Sequence, residues 1–268
     1  KIRFVVLKGL PLSNFLYSNI YARQVNDIDI LVEEDDFSHM DYLLRTMGFD
    51  QILNVKDWDK RQFELLNYPI MRLRATNHLF EYIKFLPDND IYVKIEVHKR
   101  IWGIDDDKIS EFFWHTQEID IDGTKITTFD ELHTLIFLFL NCYQNTQSSY
   151  AIQGKITLRD FVDIHTMLQK YEGKYDWNIL KKHANRLKIE QYIAAVARDL
   201  YDFYQDQLTY DFMLMFSEVT DVRIDLHMSV WEKYFDSEKR RQRYIELQRE
   251  KVFGKKEFLT VFPEGKNK

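Results

Sequence analysis

Short segments with apolar residues on one face punctuate the first half of the chain at the spacing of β-strands. In a strand successive side chains point to opposite faces, so one face is suited to burial and the other to solvent or chemistry. The pattern predicts strands near residues 2–7, 27–32, 78–85 and 91–98 and a helix near residues 36–47. A hairpin is expected from Glu118 to Thr127, because Asp122-Gly123 is a favoured pair for a two-residue turn.

Helical spacing replaces strand spacing from Phe129 onward. Leu132, Leu135, Ile136 and Phe139 recur at the spacing of one helix face. Three further helices are expected at Arg159–Tyr171, Trp177–Arg186 and Glu190–Tyr204. We therefore expect an α+β protein with a first domain at residues 1–127 and a helical domain with a C-terminal extension at residues 128–268.

The predicted strand at residues 27–32 carries two carboxylates on one face, Asp27 and Asp29. Two carboxylates held this close are costly unless a charge neutralises them. Mg²⁺ prefers hard oxygen ligands and is commonly held by carboxylates together with substrate phosphates. The alternative is an edge strand whose two aspartates are simply solvated.

A second strand offers a third carboxylate. Val93, Ile95 and Val97 form its apolar face, which leaves Lys94, Glu96 and His98 on the other. If the two strands are neighbours, Glu96 completes a set with Asp27 and Asp29 that holds one or two Mg²⁺ ions. His98 would orient Glu96 or contact an acceptor, as would Lys94; alternatively, His98 caps the end of a half-buried strand.

The segment Lys8-Gly9, between a short strand and a helix containing Pro11, is typical of a phosphate-binding turn. Glycine lets a phosphate approach the backbone, and Lys8 and Arg23 would add positive charge and forked donors. Alternatively, Lys8 is a solvated turn residue and Arg23 pairs with a nearby carboxylate.

The composition of the chain limits the classes of partner that it is expected to bind. The net charge of −6 argues against general nucleic-acid binding, which depends on clustered Lys and Arg. The basic segment at residues 239–256 is interleaved with glutamates, as in a solvated helix face; the alternative is a docking surface.

The apolar run Leu135–Leu140 is too short to cross a bilayer, and no signal peptide is visible. Cys142 is the single cysteine. We therefore expect a cytoplasmic protein without a disulfide.

A resemblance to a known family rests on motifs in both halves of the chain. They are Leu7-Lys8-Gly9, Tyr17, Arg23, Asp27–Val32, Gly48-Phe49, Ile95–His98, Phe129–Leu132, Leu158–Asp163 and Asp176–Leu180. In this order the chain resembles the uncharacterised nucleotidyltransferase family, a branch of the DNA polymerase beta-like nucleotidyltransferase superfamily. The resemblance implies a nucleotidyltransferase-like mixed sheet with flanking helices, followed by a helical domain that helps to form an acceptor pocket.

The resemblance also implies roles for individual residues. Asp27 and Asp29 match the paired metal ligands and Glu96 the third, with Mg²⁺ as the expected ion and Mn²⁺ as a substitute. Independently of the resemblance, Asp160 and Asp163 lie three residues apart on one face of a predicted helix. They would contact the ribose, an acceptor amine or Arg159; alternatively, they are a helix-start charge pair that ties helices together.

The expected activity is metal-dependent transfer of a nucleoside monophosphate from a nucleoside triphosphate, with AMP from ATP favoured, to a small molecule or a peptide or protein side chain. A rival is a non-catalytic nucleotide-binding module that keeps the fold without turnover. A third possibility, an enzyme that adds nucleotides to RNA, is disfavoured by the charge balance.

Overall fold

Eight strands form the sheet of the computed structural model, which describes residues 2–17, 19–23, 25–57, 62–65, 78–147 and 158–219. The strands are β1 Phe4–Val6, β2 Ile28–Val32, β3 Asp50–Asp57, β4 Gln62–Leu65, β5 Tyr82–Leu86, β6 Ile91–His98, β7 Thr116–Ile121 and β8 Thr124–Phe129. Their spatial order is β4-β3-β5-β6-β2-β1-β8-β7. The β2–β6 and β1–β8 pairs are parallel and the remaining pairs are antiparallel, so the sheet is mixed.

The α-helices of the described residues are α1 Leu10–Leu16, α2 Phe37–Thr46, α3 Asp106–Phe112, α4 Glu131–Gln147, α5 Arg159–Tyr171, α6 Trp177–Leu187, α7 Glu190–Tyr204 and α8 Gln207–Met215. Strands dominate the first half and helices the second, which confirms the predicted α+β class. None of the helices among the described residues is long and apolar enough to cross a membrane.

One face of the sheet is buried against α2. Ile30 and Val32 of β2 and Val97 of β6 pack in one apolar cluster with Phe37 and Met40 of α2. Burial of such side chains is worth roughly 1.5–3 kcal/mol each, so the register of β2 and β6 is firmly set. Alternation then places the polar residues of both strands on the opposite face.

The chain divides into two compact units, Lys1–Leu138 and Phe139–Lys268, with the division inside α4. The second unit has its own aromatic core, in which Phe139 stacks on Phe212 and Phe161 meets Phe203 edge to face. The domain boundary after residue 127 stays a prediction.

Several elements differ from the sequence-based expectations. The strand expected at residues 78–85 begins only at Tyr82, and His78 forms an isolated bridge with His98. The strands β3 and β4 and the helices α3 and α8 were not predicted. The hairpin is confirmed, because β7 and β8 pair across Asp122-Gly123. The basic segment at residues 239–256 lies outside the described residues.

Candidate active site

The parallel pairing of β2 with β6 places two predicted site residues side by side. Asp29 is the register partner of Glu96, and both side chains lie on the face opposite the apolar cluster. His98 follows on the same strand, with its Nε2 atom 2.9 Å from Asp29 Oδ1 and 3.8 Å from Glu96 Oε2. The sequence-based condition that the two strands be neighbours is therefore met.

Asp29, Glu96 and His98 form a group suited to a metal ion. Each offers a ligand atom, and these atoms lie within 4.8 Å of one another. Asp29 is 1% exposed, and its buried Oδ2 atom has no hydrogen-bond partner, although Lys8 Nζ lies 3.3 Å away as an ion pair. A buried carboxylate oxygen without a hydrogen bond is costly. The donor set therefore fits a divalent cation.

Neighbouring charges keep the carboxylates ionised despite their burial. Burial raises the pKa of Asp29, but the Lys8 ammonium and the hydrogen bond from His98 outweigh it and lower the pKa to about 2. Burial and the charge of Asp29 likewise raise the pKa of Glu96, and the Lys94 ammonium reverses the sign, so that this pKa falls below its ordinary value. Both groups are therefore anionic at neutral pH.

Lys94 lies among carboxylates from three places in the chain. Its Nζ atom is 2.8 Å from Glu96 Oε1, 3.5 Å from Asp27 Oδ2 and 4.0 Å from Glu81 Oε2. Burial alone would lower the pKa of Lys94, but these carboxylates raise it above its ordinary value. Asp27 thus contacts the lysine and is not in the metal-suited group of Asp29, Glu96 and His98.

Sequence reasoning missed two neighbours of this group, Glu81 and His78. His78 Nδ1 lies 2.7 Å from the Leu79 carbonyl oxygen, so Nδ1 must donate and Nε2 keeps its lone pair. That Nε2 atom is 3.8 Å from Glu96 Oε2. Burial lowers the pKa of His78, which favours the neutral ring. Both residues fell within the predicted strand at 78–85, but only the His78–His98 bridge and the distances to Glu96 and Lys94 show that they face the site.

The remaining predicted site residues lie in different surroundings. Gly9 precedes α1 with φ +77°, and a Cβ atom there would lie 3.1 Å from Val25 Cγ1, so the position requires glycine. Arg23 is buried. Asp160 belongs to the other compact unit, where it accepts a hydrogen bond of 2.7 Å from Asn145 Nδ2.

A cavity of about 280 Å³ is lined by residues of β3, β4, β5 and β6 together with Gly48. Its lining includes Phe63, Phe85 and Tyr92, and the Tyr92 ring centroid is 5.1 Å from that of Phe63 and 4.9 Å from that of Phe85. Because Tyr92 and Lys94 are two residues apart on β6, their side chains share a face. The aromatic lining suits a ring-sized apolar group.

A second set of possible ligands, His115, Asp130 and His133, does not have the geometry of a metal site. Their candidate ligand atoms also lie within 4.8 Å of one another. However, the two imidazole rings stack with centroids 3.8 Å apart and planes 11° apart. The lone pair of an imidazole nitrogen lies in the ring plane, so nearly parallel stacked rings cannot both point at one ion. Asp130 instead caps α4 by accepting from the His133 amide at 2.8 Å.

Comparison with known proteins identifies the family of the chain. The model of a family described as uncharacterised nucleotidyltransferases matches residues 1–202. The chain belongs to this family. This membership confirms the resemblance drawn from the sequence motifs and supports nucleotidyl transfer as the general function.

Among solved structures, the chain is similar to an antigenic nucleotidyltransferase-like protein from Paracoccidioides brasiliensis. The two are 14% identical, and the match covers 63% of this chain and 68% of that chain with a TM-score of 0.36. No curated protein matches this chain.

Proposed function

We propose that the protein is a Mg²⁺-dependent nucleotidyltransferase that moves a nucleoside monophosphate, with AMP favoured, from a nucleoside triphosphate to a small-molecule, peptide or protein acceptor. The observation that carries the proposal is the convergence of Asp29, Glu96 and His98, whose possible ligand atoms lie within 4.8 Å of one another. Membership of a nucleotidyltransferase family supports the reaction class.

In the proposed reaction an acceptor oxygen or nitrogen forms a bond to the α-phosphorus while the bond between that phosphorus and the α,β-bridging oxygen breaks. Pyrophosphate leaves with the electron pair of the broken bond. Glu96 is ionised and takes the proton of the nucleophile. A bound Mg²⁺ or Mn²⁺ ion would neutralise charge on the phosphate oxygens, with Asp29, Glu96 and His98 as its ligands.

Before an ion binds, His98 holds the two carboxylates in position. Its Nε2 atom lies between Asp29 Oδ1 and Glu96 Oε2, so the ring links β2 to β6. Lys8 follows β1 and would contact the triphosphate, since its ammonium already faces the site through Asp29 Oδ2. A phosphate role for Gly9 and Arg23, an acceptor role for Asp160 and metal ligation by Asp27 stay predictions from the sequence.

Calorimetric titration of ATP, GTP, CTP and UTP with Mg²⁺ tests the nucleotide site. We expect metal-dependent binding to the native protein, with ATP tightest, and loss of that binding in Asp29→Asn, which keeps the shape of the side chain and removes its charge. The matched control is Asp107→Asn, an exposed position on α3. Absence of binding for every triphosphate would overturn the proposal.

One observation favours a second candidate, a non-catalytic nucleotide-binding module. Lys8 and Lys94 already pair with the carboxylates of the site and partly neutralise them without a metal. Release of pyrophosphate from the bound triphosphate separates the two functions. Binding that is unaffected by EDTA and yields no pyrophosphate across a screen of hydroxyl and amine acceptors identifies the module.

A further inference from the structure

We propose that the Lys94 ammonium takes the place of the second metal ion of a two-metal nucleotidyltransferase, so that this site works with one divalent cation and one fixed lysine. The inference rests on the proposed function. Two-metal sites place both ions within a few ångströms, where they stabilise the attacking and leaving oxygens of an in-line displacement. Here one of the two positive charges would be covalently part of β6.

The two oxygens of Glu96 face two different partners. Oε1 is 2.8 Å from Lys94 Nζ, whereas Oε2 lies 3.8 Å from His98 Nε2 and 3.8 Å from His78 Nε2. A carboxylate that joins two metal ions also directs one oxygen to each. Glu96 therefore has the arrangement of a bridging ligand, with the ammonium on one side and the metal-suited group on the other.

Asp27 and Asp29 also face different partners, one the lysine and the other the metal-suited group. Asp29 belongs to the metal-suited group, whereas Asp27 Oδ2 lies 3.5 Å from Lys94 Nζ. The two aspartates follow each other at strand spacing, as paired ligands of two metals would. In this chain Asp27 holds the lysine where it would otherwise hold an ion.

The ammonium is held from several elements. Glu96 is two residues along β6 from Lys94, Asp27 directly precedes β2, and Glu81 directly precedes β5, where its Oε2 atom is 4.0 Å from Nζ. The Lys94 side chain is 19% exposed, so little water competes for its hydrogen bonds. Such a cation is already in position before the substrate binds, so no free energy is spent on recruiting a second ion from solution.

Electron paramagnetic resonance of Mn²⁺ tests the inference without relying on turnover. The full chain is loaded with Mn²⁺ and the non-hydrolysable α,β-methylene analogue of ATP. Two Mn²⁺ ions a few ångströms apart give a spin-coupled spectrum, and a single ion does not. We expect one uncoupled protein-bound ion in the native chain, and a coupled pair in both Lys94→Met and Lys94→Gln.

The matched control is Lys125→Met, which removes a lysine that is 74% exposed on β8 and pairs with Glu118. It should give the spectrum of the native chain. Circular dichroism confirms that each variant is folded, and the two Lys94 substitutions differ in polarity, so one remains informative if the other misfolds.

The outcomes separate this inference from the proposed function. A coupled Mn²⁺ pair in the native chain overturns the role of Lys94 and leaves metal-dependent nucleotidyl transfer intact. An uncoupled ion in both folded Lys94 variants also overturns it. Absence of protein-bound Mn²⁺ in the native chain overturns the proposed function and this inference with it.

Discussion

Asp29 shows how a single residue combines burial with charge. It is almost completely buried, yet Lys8 and His98 lie close enough to outweigh the cost of burial and lower its pKa to about 2. An ordinary aspartate has a pKa of about 3.9. The folded protein therefore binds the Asp29 proton more weakly than the unfolded chain does, and folding stability depends on pH through this residue.

We predict that the ionised Asp29 contributes on the order of 2 kcal/mol to the free energy of unfolding in metal-free buffer. Because the folded pKa is depressed, this contribution is complete above about pH 4 and is lost as the pH falls toward 2. Urea unfolding of the native protein and of Asp29→Asn, each in EDTA, measures it across this range.

The stability difference between these two proteins should shrink with acidification. Asp107→Asn serves as the control for removal of an exposed carboxylate, and its difference from the native protein should change less. A native-minus-Asp29→Asn difference that stays constant between about pH 5 and about pH 2 contradicts the prediction.

At the residue scale the sequence predicted which side chains meet but not how they pair. Alternation placed Asp29 on the polar face of β2 and Glu96 and His98 on the polar face of β6, and the parallel pairing of the two strands brings these faces together. The separation of Asp27 from this group depends on Lys94, whose flexible side chain has many rotamers that the sequence does not distinguish. The orientation of the His78 ring depends on the hydrogen bond from its Nδ1 atom to the carbonyl oxygen of the next residue, Leu79. No pattern in the sequence encodes this bond.

At the scale of elements, the turn between β1 and α1 depends on Gly9. Its φ of +77° strains any residue with a Cβ atom, and the added atom would also lie 3.1 Å from Val25 Cγ1. We predict that Gly9→Ala destabilises the protein by about 1–3 kcal/mol, through backbone strain and this close contact. Thermal or urea unfolding measures the change.

The hairpin glycine provides the matched control for Gly9. Gly123 has a similar φ of +80°, but nothing lies within 4 Å of the position of its Cβ atom. The substitution Gly123→Ala therefore carries the backbone strain alone. The excess cost of Gly9→Ala over Gly123→Ala reports the contact with Val25 together with the ψ of −101° at Gly9, and equal costs would contradict the prediction.

The elements that the sequence revealed are those with a strong period. The strands β2 and β6 carry an unbroken apolar face, Ile28, Ile30 and Val32 in β2 and Val93, Ile95 and Val97 in β6, and α5 to α7 follow helical spacing. By contrast, β4 has four residues at the end of the sheet order and α3 has seven, too few to establish a period. The expected strand at residues 78–85 starts late because the preceding residues are joined to the sheet by separate contacts. These are the His78 bridge, the hydrogen bond from the Leu79 amide to the Val97 carbonyl and that from the Ile52 amide to the Glu81 carbonyl.

At the scale of the whole molecule, the candidate site belongs to one compact unit. Asp29, Glu96, His98, Lys8 and Lys94 all lie in Lys1–Leu138. The sequence predicted a sheet region followed by a helical region from the change of period alone. It did not predict a division inside α4, because the apolar residues of that helix continue without a break across residue 138.

A metal ion bound at Asp29, Glu96 and His98 joins two neighbouring strands, so it should slow the local opening that separates β2 from β6. We predict that Mn²⁺ alone, at about 100 times its dissociation constant, stabilises this region by about 2.7 kcal/mol and slows exchange of its amides by about 100-fold. Hydrogen exchange with mass spectrometry measures peptides from residues 27–32 and 91–98.

Peptides from α6 and α7 provide the internal reference, since these helices belong to the other compact unit and carry no residue of the metal-suited group. Their exchange should stay unchanged, and Asp29→Asn should abolish the protection of β2 and β6. Equal protection across both units would mean that the ion acts on global unfolding of the whole chain, and protection confined to α6 and α7 would place the metal site elsewhere. Protection confined to β2 and β6 requires that the ion bind where the two strands meet, because local opening responds only to ligands that the open state cannot hold.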